Sequence, residues 1–325
     1  MTLATIPPLV TVFGGSGFVG RHVVRALSRR GYRVRVAVRR PDLAGFVLPL
    51  GNVGQISLAQ ANLRYPDSVR KAVEGASFVV NCVGILFEAG RNKFDAVQDF
   101  GARAVAEAAK GAGAGLVHIS AIGADVGSPS AYGASKGRGE QGVLQVLPEA
   151  IILRPSIVFG PEDGFFNKFA AMSRTAPFLP LIGGGKTRFQ PVFVEDVAEA
   201  VARAVEGSVA PGIYELGGPE VLTFRECLEE MLKVVDRKKP LISLPFGLAS
   251  FIGGVASAIP LITPPLTADQ VVLLKKDNVV SDAAKAEGRT LEGLGIRPTP
   301  LAGILPAYLV HYRPHGQYSR SGKAA

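Results

Sequence analysis

The stretch Val10-Thr11-Val12-Phe13-Gly14-Gly15-Ser16-Gly17-Phe18-Val19-Gly20-Arg21-His22-Val23 constrains the rest of the chain more than any other. An apolar run suited to a buried strand passes into a glycine turn and then into a helical stripe, Val19, Val23, Val24 and Leu27, that stops at Gly31. Two spacings overlap in the turn, Gly15-x-Gly17-x-x-Gly20 and Gly14-x-x-Gly17-x-x-Gly20. A turn without Cβ atoms lets backbone approach a phosphate closely, and the positive end of the following helix faces that charge. In this strand, turn and helix order the spacing predicts a dinucleotide site, with Gly14, Ser16, Gly17, Phe18, Val19 and Gly20 at the pyrophosphate. A tight turn with no ligand is the plainer alternative.

The next apolar run, Tyr32 to Val38, ends in Arg39-Arg40. An acid about 20 residues past the glycine turn would accept hydrogen bonds from the ribose of NAD, whereas arginine there suits a 2′-phosphate. Arg39 stands 19 residues after Gly20, so the doublet predicts NADP(H). Two solvated arginines at a strand end are the alternative.

Strand and helix patterns then alternate. Gln55 to Leu58 reads as a short strand leading to Asn62-Leu63, where the Asn62 amide is placed to meet an adenine edge. Asp67 to Glu74 reads as a helix, Ser77 to Val83 as a strand running into Gly84, Asn92 to Gly111 as one long helix, and Leu116 to Ser120 as the next strand. Val83 and Gly84 again bring backbone close to a ligand. The alternation predicts an α/β chain with a doubly wound parallel sheet, its ligand at the carboxyl ends of the strands, and a smaller C-terminal lobe.

Tyr132 and Lys136 follow, four apart and so on one helix face. An ammonium beside a phenol lowers its pKa and prepares it for proton exchange, and the same lysine can hold ribose hydroxyls. An ordinary surface pair gives the same spacing.

With these residues in hand, the chain resembles the extended and atypical short-chain dehydrogenase/reductase superfamily, which carries the Rossmann fold. The likeness runs through the glycine turn, Val79 to Gly84, Tyr132 with Lys136, Leu153 to Pro161 and Gln190 to Ala198. It implies that Pro155 lies beside the nicotinamide. A narrower likeness in Glu162 to Phe169, Leu266 to Val271, Lys276 to Ser281 and Tyr308 to Tyr318 is similar to the NAD(P)H-binding accessory subunits of respiratory complex I, the NADH:ubiquinone oxidoreductase, in their bacterial form. It implies other complex I subunits as partners in the peripheral arm near the membrane, contact with lipid or the membrane surface, and a tightly held NADPH that supports structure. One position departs from the superfamily: Ile122 stands where active members carry a Ser or Thr that orients the substrate carbonyl. Ser120, Ser128 or Ser130 is left as a replacement. Tyr132 and Lys136 are therefore catalytic only if the chain turns over. The other readings are an active NADP-dependent reductase, epimerase or dehydratase on a sugar or lipid-like carbonyl compound, and a dinucleotide-sensing regulatory protein.

The division expected is 1–160 for the NADP(H) domain, with elements returned from about 186–217, then 161–307 for an interface or substrate lobe and 308–325 for a basic arm. Within the lobe, Pro177 to Gly185 reads as a loop, Glu195 to Glu206 as a helix whose acidic first turn complements its dipole, and Thr223-x-x-Glu226 as a capping box. No charge falls between Lys239 and Asp269, which suits either a buried segment or an exposed interface patch. A formal charge of +9 favours an anionic partner, but without zinc-finger spacing, a basic helix or an RNA-binding signature nucleic acid is not expected. Two cysteines and four histidines without ligand spacing predict no disulfide framework and no metal. The early first strand and the absence of an apolar span of membrane length predict a cytoplasmic chain without a transmembrane helix, and the resemblance implies that it is peripheral, on the cytoplasmic side of a bacterial inner membrane.

Overall fold

Along the chain come β1 (Leu9–Phe13), α1 (Phe18–Arg29), β2 (Arg33–Val38), β3 (Ile56–Gln60), α2 (Pro66–Val73), β4 (Phe78–Asn81), α3 (Phe100–Gly111), β5 (Gly115–Ile119), α4 (Ala131–Val146) and β6 (Ile151–Pro155). They belong to a computed structural model that describes residues 7–258 and 267–316. β1 is buried at every position, as its unbroken apolar run requires of a strand covered on both faces. Strand Gly212–Leu216 joins the same sheet, whose order is Gly212–Leu216, β6, β5, β4, β1, β2, β3 with every pairing parallel. The order reverses at β1, and the register pairs Phe13 with Asn81, so the crevice at this switch point opens beside Gly14 and Cys82. The doubly wound parallel sheet is therefore present. Ala102, Val105, Ala106 and Ala109 of α3 pack with Val69, Val73, Leu116 and Val143 in one of its cores.

Contacts divide the chain into two units. The first holds Met1–Pro155, Val194–Leu216 and Ser281–Arg297. In it the helix Val194–Val205 lies on α1, with Arg30 bonded to Glu199 and Glu206 at 2.7 Å each and Glu195 paired with Arg25. The acidic first turn is thus a structural feature. Residues 281–297 are tied to the sheet by Glu215 N–H donating to Arg289 O at 3.0 Å and Ser281 N–H donating to Glu215 Oε2 at 2.7 Å.

The second unit holds Ser156–Phe193, Gly217–Val280 and Pro298–Ala325. Phe159, Phe166, Leu179, Leu181, Phe224, Cys227 and Met231 are buried in its core. Helix Phe224–Val234 begins with the expected capping box, Glu226 N–H donating to Thr223 Oγ1 at 3.2 Å and Thr223 N–H to Glu226 Oε2 at 2.7 Å.

Three expectations change. Asn92 to Gly111 is not one helix: Asp95–Asp99 is a π-helical turn ahead of α3. Its widened backbone brings Gln98 O so near Gly139 that a Cβ there would lie 2.0 Å away, while Arg138 bonds both Asp95 and Asp99. Pro177 to Gly185 is not all loop. Leu179–Ile182 forms a parallel ribbon with Leu241–Leu244, because Leu179, Leu181 and Ile182 are buried. Tyr308 does not begin a free arm: it is buried in helix Leu301–Leu309 and donates from Oη to Asp163 Oδ2 at 2.5 Å. Residues 259–266 and 317–325, including Ile259, Leu261, Ile262, Tyr318, Arg320 and Lys323, lie outside the described residues.

Candidate functional site

The glycine turn closes on itself by Gly17 N–H donating to Gly14 O at 2.9 Å and is tied to β2 by Gly14 N–H donating to Ala37 O at 3.0 Å. Gly14 holds φ +73°, a conformation other residues rarely adopt. Gly20 is required by space, since a Cβ there would lie 2.2 Å from Gly14 O and 2.7 Å from Gly15 Cα. The turn thereby lets α1 start against the end of β1. Among the described residues no side chain caps α1 and no acid stands in its first turn. Its first N–H groups have no partner within the helix, and they suit a phosphate. Ser16 and Gly17 carbonyls accept from the Arg21 guanidinium at 3.2 and 3.3 Å. Phe18 stacks edge-on with His22, and Val19 is half-buried.

Arg39 lies one residue past β2, exposed, with Nη1 donating to Asn92 Oδ1 at 2.9 Å. Arg40 points to a different partner, a two-bond pair with Asp42. Asn62 Oδ1 accepts from Arg64 N–H at 3.2 Å, so the amide oxygen serves a local turn. Leu63 is buried in the core, where it meets Gly101. Of these four, Arg39 is the one held only by a neutral amide; the Asn62 backbone is engaged, its N–H donating to Ser68 Oγ at 3.0 Å and its carbonyl accepting from Tyr65 N–H at 2.8 Å.

The opposite end of the crevice is made of side chains. Val83 Cγ2 lies 3.1 Å from where a Gly14 Cβ would stand, which joins the turn after β4 to the glycine turn. A Cβ at Gly84 would meet Lys136 Nζ at 3.4 Å and Gln98 Oε1 at 4.0 Å. Glycine here keeps those two polar groups uncovered. Lys136 is buried and donates from Nζ to Ile119 O at 3.0 Å. Burial lowers its pKa to about 8, against the attraction of Glu140. Tyr132, half-buried in edge contact with Phe94, is pushed up to about 12 by desolvation. The pair therefore does not show the lowered phenol expected from its spacing: desolvation of the phenol prevails, and Lys136 is bonded to the Ile119 carbonyl.

Ile122 is buried, and its N–H donates to Pro155 O at 3.0 Å, so this position fixes the backbone of β6 and presents no hydroxyl. Ser130 caps α4 by accepting from Gly133 N–H at 3.2 Å, and Ser128 accepts from Ser130 N–H at 3.3 Å. Ser120 is different: its buried Oγ has no hydrogen-bond partner, like Gln98 Oε1 and His118 Nε2. Uncompensated buried polar atoms are costly, and their gathering around Lys136 and Gly84 fits a ligand bearing hydroxyl and amide groups. Sequence reading missed Gln98, since the π turn that presents it breaks helical periodicity. Burial holds His118 neutral, its pKa lowered to about 3, with Nδ1 3.2 Å from Asn81 Nδ2.

Residues 10–217 match the NAD dependent epimerase/dehydratase family. The chain is 34% identical, over 95% of its length and 79% of the other protein, to "NADH dehydrogenase [ubiquinone] 1 alpha subcomplex subunit 9, mitochondrial" of Arabidopsis thaliana. It is 32% identical to a "Ceramide reductase" of Caulobacter vibrioides over 73% of this chain and 74% of that one. The fold also matches a Thermus thermophilus UDP-glucose 4-epimerase solved with NAD, at TM-score 0.65 and 22% identity over 94% of this chain and 99% of that one.

Proposed function

The chain belongs to the NAD dependent epimerase/dehydratase family, and from that premise we propose that it is an accessory subunit of NADH:ubiquinone oxidoreductase, respiratory complex I, holding a nicotinamide dinucleotide that is not turned over. The observation that carries the subunit reading is identity sustained over 95% of the chain with a protein of that name. Ile122 supports the second half: a buried side chain without a donor stands where the substrate carbonyl would be oriented.

The finer assignment is NADP(H). When bound, the group supplies a hydride donor. Backbone at Gly14, Ser16, Gly17, Phe18, Val19 and Gly20 would take the pyrophosphate, Arg39 the 2′-phosphate, and Tyr132 and Lys136 the nicotinamide ribose, beside Val83, Gly84 and Pro155. Arg40, Asn62 and Leu63 would frame the adenosine end. A ligand that binds only the folded state adds to its stability, so occupancy supports the subunit and its assembly. The place that follows is the peripheral arm near the membrane, on the bacterial cytoplasmic side. Among the described residues no helix is long and apolar enough to cross a membrane.

Purification of the full chain from its own cells under mild detergent tests this reading. The expected result is a complex containing flavin and iron-sulfur centres, and recovery of the chain alone overturns it. The reductase reading rests on the 32% identity to a ceramide reductase. Steady NADPH oxidation with carbonyl substrates, lost in Tyr132→Phe, would establish it.

A further inference from the structure

In the second unit, Leu241–Leu244 is the outer strand of the parallel ribbon it forms with Leu179–Ile182, whose Leu179, Leu181 and Ile182 are buried. Leu179 N–H donates to Pro240 O at 3.0 Å, and from there the alternation of a parallel ladder turns the peptide groups of Ile242 toward the partner strand. Those of Leu241 and Ser243 turn away from it, and among the described residues none of their N–H or C=O groups has a hydrogen-bond partner. Ile242 is 47% exposed and Ser243 is exposed as well, so this edge is open. Open edges are commonly blunted by a charge on the strand or by a bulge. Leu241-Ile242-Ser243-Leu244 carries no charge, and its register runs without a bulge.

A groove of about 650 Å³ lies beside the start of this strand, with Leu232, Pro240 and Leu241 as its apolar lining. Five of the other lining residues are cations, and two, Glu229 and Asp236, are acids. Past the end of helix Phe224–Val234, Asp236 takes φ +51° and turns the chain, so that Arg237, Lys238 and Lys239 line the groove on the way to the strand. Much of that charge is left uncancelled. Lys233 pairs with Glu230 at 2.6 Å and Arg225 lies 3.8 Å from Glu229, but Arg237 and Lys239 are held by the carbonyls of Tyr312 and Ala176, at 3.1 and 2.7 Å. A carbonyl fixes a cation without neutralising it. Lys238 has no partner among the described residues.

We propose that this surface docks an extended acidic segment of a partner protein, which adds as a strand to the edge of Leu241–Leu244 and lays its carboxylates along Arg237, Lys238 and Lys239. Strand addition draws affinity from main-chain bonds and selectivity from alternate side chains, and here the apolar ones would pack beside Ile242. The edge presents N–H and C=O groups in turn. A peptide backbone satisfies both, whereas a phosphate brings acceptor oxygens and would face the carbonyls with like polarity. Residues 317–325 of this chain hold Arg320 and Lys323 and no acid, so their charge is wrong for the groove, and a second copy would bring the same cations to it. The proposal rests on the subunit reading only for the source of the segment. Peptide binding requires no other subunit, so recovery of the chain alone and failure to bind the peptide are separate results.

The test is fluorescence anisotropy of the full-length protein with two labelled peptides, one alternating valine and glutamate, the other valine and lysine. Binding of the glutamate peptide alone is expected, and it should fall as salt rises. Ser243→Pro withdraws an outward N–H and sets a ring in the path of the added strand without touching the ladder, and should weaken binding about tenfold or more. Lys238→Glu should weaken it at least about fivefold, and Lys71→Glu, an exposed cation in the other unit, should change nothing. All three side chains are exposed, so unchanged melting accompanies each variant. No binding of the glutamate peptide, equal binding of the lysine peptide, binding indifferent to Ser243→Pro or to Lys238→Glu, or uptake of phosphatidylglycerol vesicles in place of the peptide overturns the proposal.

Discussion

The two ends of the crevice are built by different means. At the glycine turn everything is backbone: a positive φ at Gly14, a helix start that no side chain caps, and a Gly20 whose missing Cβ leaves room for the turn's own backbone. Around α4 everything is side chain, with Lys136 buried, Tyr132 held as a neutral phenol, the Gln98 Oε1 and Ser120 Oγ atoms left without hydrogen-bond partners, and Ile122 sealing the wall. The first end needs nothing beyond an anion to be complete. The second contains buried polar atoms that a bound polar molecule would satisfy, and Ile122 there supplies no hydroxyl to direct chemistry. Holding a dinucleotide and using one are separable properties, and the subunit reading proposed above assigns this chain only the first.

The sharpest way to break that contrast is at Gly20. Gly20→Ala should destabilise the fold by about 3 kcal/mol, because its Cβ would meet backbone that cannot rotate aside, and should abolish nucleotide binding. Denaturant unfolding with and without NADPH reads both. A variant that folds normally and still binds would show that the turn's backbone does not set the site.

At the other end the largest effect should have the opposite sign. Lys136 is buried with its pKa lowered from 10.5 to about 8, so the folded state carries the penalty of a buried ammonium below pH 8. Between about 8 and 10.5 the unfolded chain binds a proton that the folded chain has released, and stability rises with pH through that window, by roughly 3 kcal/mol in all. Lys136→Met should remove that rise. At neutral pH it should stabilise the nucleotide-free protein by about 1–2 kcal/mol, the loss of the bond to Ile119 O being included, while abolishing stabilisation by NADPH. A Lys136→Met protein less stable at pH 7 than the parent would mean that the lysine serves the fold and not a ligand.

The same contrast explains what could be read in advance. The glycine turn was legible because at Gly14 and Gly20 conformation and space admit one residue type. β1 was legible because an apolar run of strand length has few other fates. The π turn at Asp95–Asp99 was not, since it answers to Gly139 on another helix, 40 residues downstream of Asp99. Nor was the state of Tyr132 and Lys136: spacing places them on one face, but burial decides their protonation. Residues 281–297 join the sheet unit through bonds to Glu215, a link that local pattern does not carry.

Ile122 offers a smaller test of whether chemistry has been withheld by this one wall. Ile122→Ser should cost about 2 kcal/mol, from lost burial and a hydroxyl placed in an apolar site. NADPH oxidation by the parent with carbonyl substrates should be absent. Its appearance in Ile122→Ser would identify the scaffold as a reductase disabled at a single position, and its continued absence would mean that more than this one wall withholds the chemistry.

The smallest expected effect concerns which dinucleotide the backbone end selects. Arg39 and Arg40 are adjacent and both exposed, yet they differ in what holds them. Arg39 shares one bond with the neutral amide of Asn92, whereas Arg40 is engaged through two bonds with the carboxylate of Asp42. A 2′-phosphate would compete easily with an amide and poorly with a carboxylate, because charge-assisted bonds are about twice as strong as neutral ones. Arg39→Ala should therefore weaken NADPH about tenfold, close to 1.4 kcal/mol, with NADH affinity unchanged. Arg40→Ala should alter either by less than about twofold, since removing an exposed ion pair has little energetic consequence. The NADPH preference should also decline with salt, as an exposed phosphate contact is screened. Titration calorimetry with both nucleotides distinguishes the outcomes. Equal losses for NADPH and NADH in Arg39→Ala would remove the basis for a phosphate-bearing ligand and return the doublet to a solvated strand end.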